Sequence, residues 1–179
     1  MKYIILSSLL FINFVSFSQT NEYIHNAKNF SFEGMKFGSS LSSFKSKYPL
    51  AVIENNEDEK VGVKFYKVSN LSLASYGAYS FYSDRLFKIV IIYSKNDVNK
   101  MGGLQTIANK LLEKFGVPTD FKKINDDEKI DVVWWRFESV GKYFEVLTYK
   151  DGYVKLYILD ENIEKKINVK KTSSVDIGF

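Results

Sequence analysis

Thiol chemistry is absent from this chain, which has no Cys and a single histidine, His25, among 179 residues. A Cys nucleophile is therefore excluded. A Ser-His-acid triad would have to use His25, which stands ahead of every predicted element and reads as an exposed polar residue. A zinc site needs three or four Cys, His or carboxylate ligands, which one His and no Cys do not supply. Acidic clusters occur at Glu54, Glu57, Asp58 and Glu59, and again at Asp126, Asp127, Glu128 and Asp131. Neither has the alternating ligand spacing or the glycine of an EF-hand loop, so both read as solvated connections between strands. A carboxylate pair for glycoside hydrolysis remains an alternative, because residues far apart in sequence can converge, but no particular pair stands out. Gly102-Gly103 lacks the spacing and the following Lys-Ser/Thr of a phosphate loop. No catalytic residue, metal or cofactor is assigned.

What the chain does have is rings: 12 Tyr, 15 Phe and 2 Trp, or 16% aromatic residues. Tyr and Trp join a large contact area to few rotors and one polar handle, which concentrates them at binding hot spots. Their value here depends on the elements that carry them.

Those elements repeat. Asp58-Glu59-Lys60-Val61-Gly62-Val63-Lys64-Phe65-Tyr66-Lys67-Val68 lies over Asp127-Glu128-Lys129-Ile130-Asp131-Val132-Val133-Trp134-Trp135-Arg136-Phe137, class for class. Tyr82 to Ile89 lies over Tyr149 to Leu156, and Phe44, Lys47 and Tyr48 lie over Leu111, Lys114 and Phe115. A tandem repeat follows. Each unit opens with a helix. In the second, Leu104, Ile107, Ala108, Leu111, Leu112 and Phe115 make an apolar stripe of helical period, stopped by Gly116 and Pro118. In the first, Ser39 or Ser40 caps a shorter helix with the face Leu41, Phe44 and Tyr48, ending before Pro49. Period-two runs between turn signals predict strands near 51–54, 61–68, 74–82 and 86–93, then 119–124, 130–138, 143–149 and 153–159. The predicted fold class is α+β, with two tandem repeats of one helix and four antiparallel strands, and the helices on one sheet face.

Alternation then predicts the faces. Val61, Val63, Phe65, Phe87, Ile89 and Ile91, with Ile130, Val132, Trp134, Val154, Leu156 and Ile158, are assigned to the helix side. The opposite parity carries Lys64, Tyr66, Tyr76, Tyr82 and Lys88 in the first unit and Trp135, Tyr143, Glu145, Tyr149, Lys155 and Tyr157 in the second. If that side is uncovered it is a recognition surface, with Tyr66, Tyr76, Tyr82, Trp135, Tyr143, Tyr149, Lys155 and Tyr157 as candidate partner-binding residues. If sheets pack together or a loop lies over it, the same residues are core.

Composition bounds the rest. A chain of this length buries roughly 68–70% of its unfolded surface, and 45% hydrophobic residues argue against disorder. The balance of 25 basic and 21 acidic residues is too mild and dispersed to argue for nucleic acid. Met1-Lys2, the apolar run Tyr3 to Phe17 and Ser16-Phe17-Ser18 read as a secretory signal cut between Ser18 and Gln19. The run falls short of the roughly 20 residues that span a bilayer, and no membrane span is expected in the mature chain. The expected location is periplasmic or extracellular. The domain layout is a signal peptide over 1–18, an extension over 19–31, repeats over 32–96 and 97–159, and a Lys-rich tail over 160–179. The tail reads as frayed or loosely docked, with Val175, Ile177 and Phe179 as a short docking strand.

In element order, and in the blocks around Phe65-Tyr66 and Trp134-Trp135, residues 32–159 resemble the beta-lactamase inhibitor protein architecture. Each unit also looks like the small lipoprotein domain of outer-membrane assembly machinery. The likeness is topological and has two departures: the inhibitors have disulfides and the lipoproteins a lipidated Cys, and this chain has neither. The resemblance implies an aromatic sheet surface that grips a partner protein, with Tyr66, Trp135, Tyr143 and Tyr149 as positions to test. The leading reading is an exported, non-enzymatic binding protein for a protein partner; the alternatives are a glycan or small-ligand binder and a carboxylate-based hydrolase.

Overall fold

A computed structural model describes residues 20–69, 71–123 and 129–175. The signal segment, Asp126 to Glu128, Ile177 and Phe179 lie outside the described residues.

The fold is α+β, as predicted. The first unit is helix α2 (Leu41–Lys47) followed by β3 (Val52–Glu54), β4 (Val63–Ser69), β5 (Tyr76–Tyr82) and β6 (Arg85–Tyr93). The second is α4 (Leu104–Phe115) followed by β7 (Asp120–Lys123), β8 (Lys129–Phe137), β9 (Lys142–Tyr149) and β10 (Val154–Asp160). A small hairpin, β1 (Ser31–Phe32) and β2 (Met35–Lys36), precedes the first unit, and a short helix α3 (Lys95–Lys100) joins the two. Local chemistry explains the boundaries. Ser40 caps α2, its Oγ accepting from the Ser43 amide at 3.1 Å. The β5–β6 turn sits on Ser83 and Asp84, both at positive φ (49° and 58°), as a two-residue hairpin demands.

All eight strands form one antiparallel sheet in the order β3-β4-β5-β6-β10-β9-β8-β7. Each unit is a meander, and their last strands pair with Ile89 opposite Ile158 and Ile91 opposite Leu156. The second unit is therefore related to the first by a half turn about an axis normal to the sheet. On the helix side Phe44 of α2 sits 5.0 Å from the Phe81 and Tyr79 rings and 5.5 Å from Tyr66. Phe115 of α4 answers it at 4.4 Å from Phe144 and 6.2 Å from Trp135. Burying such rings is the largest apolar contribution this sheet can draw on.

Two segments depart from expectation. The extension over 19–31 contains helix α1 (Asn21–Lys28), which seals the core edge with Ala27 and with Phe30 against Phe144 at 5.2 Å. Asn26 fastens it to α4 by donating to the Lys114 carbonyl at 2.9 Å. The Lys-rich tail, expected to be frayed or loosely docked, contains helix α5 (Glu161–Val175), while two of the three residues of the expected docking strand lie outside the described residues. Asp160 caps it, accepting from the Asn162 and Ile163 amides at 3.1 and 3.4 Å, and pairs with the buried Lys142. Ile163 and Ile167 then pack on Val61, Val63, Phe87 and Leu159, across one end of the sheet face away from α2 and α4. The tail escaped prediction because its four apolar residues, Ile163, Ile167, Val169 and Val175, stand among many Lys and give little periodic contrast.

Carboxylates tie the loops. Glu33, at positive φ in the β1–β2 turn, accepts from Ser72 Oγ (2.6 Å), the Ser72 amide (2.8 Å) and the Tyr48 hydroxyl (3.1 Å). Burial by itself would raise its pKa, but these bonds outweigh burial and hold it below the ordinary value. Asp97 is likewise held low against burial, by Ser75 (2.5 Å) and Ser94 (2.7 Å). Burial, with Glu33 alongside, pushes the Tyr48 phenol up to about 12.

For a carboxylate lowered in the folded state, the stabilisation is complete above its unfolded value, 4.5 for Glu33 and 3.8 for Asp97, and is lost as pH falls beneath it. The urea midpoint is therefore expected to fall between about pH 5 and about pH 2. It should fall less in a chain carrying Glu33→Gln and Asp97→Asn, and equal acid slopes in the two chains would contradict this assignment.

Candidate functional site

Register assigns every strand residue to a face. Tyr66 lies opposite Tyr79, and Trp135 opposite Phe144, all four on the helix side. Tyr66 is 5% exposed and Trp135 3%, so these two candidates are core and not surface. The correction has a local cause. In Phe65-Tyr66 and Trp134-Trp135 both neighbours are aromatic, so alternation carries no polar contrast and cannot choose the inward residue. Packing against Phe44 and Phe115 chooses. The buried indole satisfies its N–H by donating to the Gly116 carbonyl at 2.9 Å. Gly116 is itself constrained, since an added Cβ would sit 2.5 Å from the Tyr23 ring.

The other six candidates, Tyr76, Tyr82, Tyr143, Tyr149, Lys155 and Tyr157, share the face away from α2 and α4, and all are half-buried. Ile89, Ile91, Val154, Leu156 and Ile158 lie on the helix side as predicted. Phe65, Phe87, Val132 and Trp134, predicted to face the helices, lie instead on the second face, as do Val63 and, beneath α5, Val61. Lys64, predicted on the second face, lies instead opposite Phe81 on the helix side, where it is exposed and pairs with Asp84 at 2.9 Å.

Helix α5 divides this second face. Tyr82, Tyr143 and Tyr157 pack against its apolar side. Two rows cross the sheet beside it, the second meeting the helix at Tyr157. One runs Tyr76, Ile92, Lys155, Leu147 and Val132, over β5, β6, β10, β9 and β8. The next runs Lys67, Ala78, Val90, Tyr157, Glu145 and Trp134. At ~4.8 Å per strand the first row spans about 19 Å. Trp134, Val90, Ile92 and Leu147 were missed by sequence reasoning because apolar residues on both faces erase the alternation. The one usable signal was the repeat itself, which pairs Phe65 with Trp134 and so puts both on the same side.

Cations lie along these rings. Lys67 Nζ stands 4.9 Å from the Tyr76 centroid, Lys88 Nζ 5.4 Å from Tyr157, and the Arg136 guanidinium 5.6 Å from Tyr143. The Tyr143 hydroxyl donates to Glu145 Oε2 at 2.6 Å. Burial pushes both the Tyr143 and Tyr157 phenols up, and Glu145 adds to the effect on each. At neutral pH these tyrosines are neutral hydrogen-bond donors.

Several of the remaining chemical candidates have structural partners, whereas the buried Asp131 Oδ1 has no hydrogen-bond partner among the described residues. Of the first acidic cluster, Glu54 pairs with Lys67 at 3.8 Å, and Asp58 pairs with Lys171 of α5. Lys170 donates to the Val61 carbonyl at 3.1 Å. Asp131, from the second cluster, is buried on the helix side of β8; burial raises its pKa and Lys123 partly opposes the rise. His25 is exposed and lies beside Asn29. Among the described residues no group of three or more His, Cys, Asp and Glu is placed to hold a metal ion, and no helix is long and apolar enough to cross a membrane.

No family model and no curated protein matches this chain. Among solved structures it is similar to a cysteine-rich secretory protein from Staphylococcus aureus, at 12% identity and a TM-score of 0.44. The match covers 77% of this chain and 48% of the other, so the chain spans about half the length of that protein.

The two tryptophans give the face assignment a direct check. With Trp135→Phe the remaining Trp134 should emit to the red and be quenched by acrylamide, whereas with Trp134→Phe the remaining Trp135 should emit to the blue and resist quenching. Tyr66→Ala and Trp135→Ala should each cost about 3–5 kcal/mol in urea unfolding, against about 1 kcal/mol for Trp134→Ala. Matching quenching for the two single-Trp chains would refute the assignment.

Proposed function

We propose that this is an exported, non-enzymatic binding protein that takes a protein partner on the uncovered part of its second sheet face. The observation that carries the reading is the pair of rows that cross this face beside α5, the second of them reaching under the helix only at Tyr157. Aromatic and aliphatic side chains with cations beside the rings continue across five or more strands, while α1, α2 and α4 cover the other side. Export is supported by the basic start, the apolar run and the small residues at Ser16 and Ser18.

A protein is favoured over a glycan because β6 and β10 are hydrogen-bonded along their length, so the two units meet as one continuous sheet without a seam. Small ligands favour concave sites that enclose most of their surface. The likeness in element order to the beta-lactamase inhibitor proteins supports the same choice. The contact residues on this reading are Tyr76, Tyr149, Lys155 and Trp134, with Ile92 and Leu147 between them. Tyr82, Tyr143 and Tyr157 support the face from beneath α5, and Tyr66 and Trp135 support it from the core.

The test is capture by crosslinking from the periplasmic and extracellular fractions of the source cells. Tyr76→Ala and Trp134→Ala should each weaken capture by roughly 30-fold, as loss of a hot-spot ring of about 2 kcal/mol does, while each costs no more than about 1 kcal/mol in urea unfolding and stays folded. Undiminished capture by the double variant would refute the proposal. A Trp134 emission shift on adding glycans, with no protein captured, would favour the glycan reading.

A further inference from the structure

The two edges of the sheet are built differently. β7 presents Asp120, Lys122 and Lys123, the kind of charged edge that discourages an added strand. β3 has three residues, Val52–Glu54, all exposed, preceded closely by Leu50. Leu50, Val52 and Ile53 are 91%, 60% and 55% exposed. Val52 lies opposite Lys67 on the second face and Ile53 opposite Tyr66 on the helix side, so this edge is apolar on both faces. Its one charge, Glu54, is drawn inward to Lys67 at 3.8 Å. Among the described residues no strand lies on the outer side of β3, so its backbone presents a template for pairing there.

We infer that β3 is a dimerisation edge, which takes the β3 of a second copy of this chain in antiparallel pairing about a two-fold axis normal to the sheet. Every pairing within the sheet is already antiparallel, so the added strand continues the pattern. An axis normal to the sheet keeps each face on its own side, which admits two registers: Val52 opposite Val52, or Ile53 opposite Ile53. In the first Leu50 meets Glu54 of the second copy, and in the second Val52 does. Neither register opposes two charges of the same sign. Pairing β3 with the β7 of another copy would set Val52 and Ile53 against lysines and leave a free edge at each end, the geometry of a filament. The two-fold arrangement closes on itself and leaves only charged edges outside. A strand this short buries well under the roughly 1,200 Å² of a standard interface, so the dimer is weak and populated at high concentration. None of this depends on what the second face binds.

Sedimentation velocity from about 10 μM to about 1 mM should show a dimer fraction that rises with concentration. Ile53→Lys should stay monomeric at an unchanged melting temperature. Val169→Lys, which alters another exposed apolar residue, on α5, should dimerise like the natural chain. Because the chain has no Cys, Val52→Cys and Ile53→Cys each introduce a single thiol. Under mild oxidation, one of them should crosslink at least about tenfold faster than Val169→Cys, as expected for residues placed directly opposite each other. Should Ile53→Lys fail to fold, the crosslinking comparison decides. A natural chain that remains monomeric throughout overturns the inference, as does a dimer that survives Ile53→Lys or thiols that crosslink no faster than the control.

Discussion

The backbone ladder between β6 and β10 is the constraint on which the rest of this molecule depends. Six residue pairs, from Val154 opposite Tyr93 to Leu159 opposite Lys88, join two four-stranded meanders into one sheet. Without it each unit would end in a long apolar edge, Ile89-Val90-Ile91-Ile92 or Leu156-Tyr157-Ile158-Leu159, of the kind that invites uncontrolled pairing. With it, Ile89, Ile91, Leu156 and Ile158 join the core that lies under α2 and α4. The same ladder sets the half turn between units, which brings the Phe44 and Phe115 clusters onto one side and leaves α5 on the other.

The half turn is broken where the chain leaves each unit. After β6 it must return to the helix side, because α4 has still to be delivered there; α3 does this, with Val98 buried in the same core as Phe115. After β10 that requirement is gone, and α5 crosses onto the second face instead. Its anchors are Ile163 and Ile167 among Val61, Val63, Phe87 and Leu159, the Arg136–Glu161 pair at 3.0 Å, the Lys171–Asp58 pair, the Lys170 bond to the Val61 carbonyl and the Asp160 cap. The asymmetry decides which rings a partner could reach. Tyr82, Tyr143 and Tyr157 lie against the helix, while Tyr76 and Trp134 lie in the rows beside it.

Legibility in the sequence tracked contrast. Strand and helix limits were readable where Gly, Pro, Ser or Asp interrupts a periodic run, as at Ser40, Ser83-Asp84 and Gly116, and the observed elements fall close to the predicted ranges. Faces were readable on β9 and β10, where Tyr143, Glu145, Lys155 and Tyr157 alternate with Phe144, Val146, Leu156 and Ile158. They were unreadable on β4 and β8, where the adjacent aromatics Phe65-Tyr66 and Trp134-Trp135 make either choice equally apolar. Helix α5 was unreadable for a related reason, since its hold comes from two apolar anchors and from ion pairs and a hydrogen bond whose partners are far away in the chain.

Residue order alone therefore established the repeat, the helix-and-four-strand plan, the absence of thiol chemistry and the concentration of rings on the strands, because each of these is written in local spacing and residue type. Which ring of each aromatic doublet points inward, which end of the second face α5 covers, and where the apolar edge lies were decided only in three dimensions. Those outcomes depend on cross-strand register and on packing against Phe44, Phe115, Ile163 and Ile167, and such contacts join residues whose separation along the chain leaves no periodic trace.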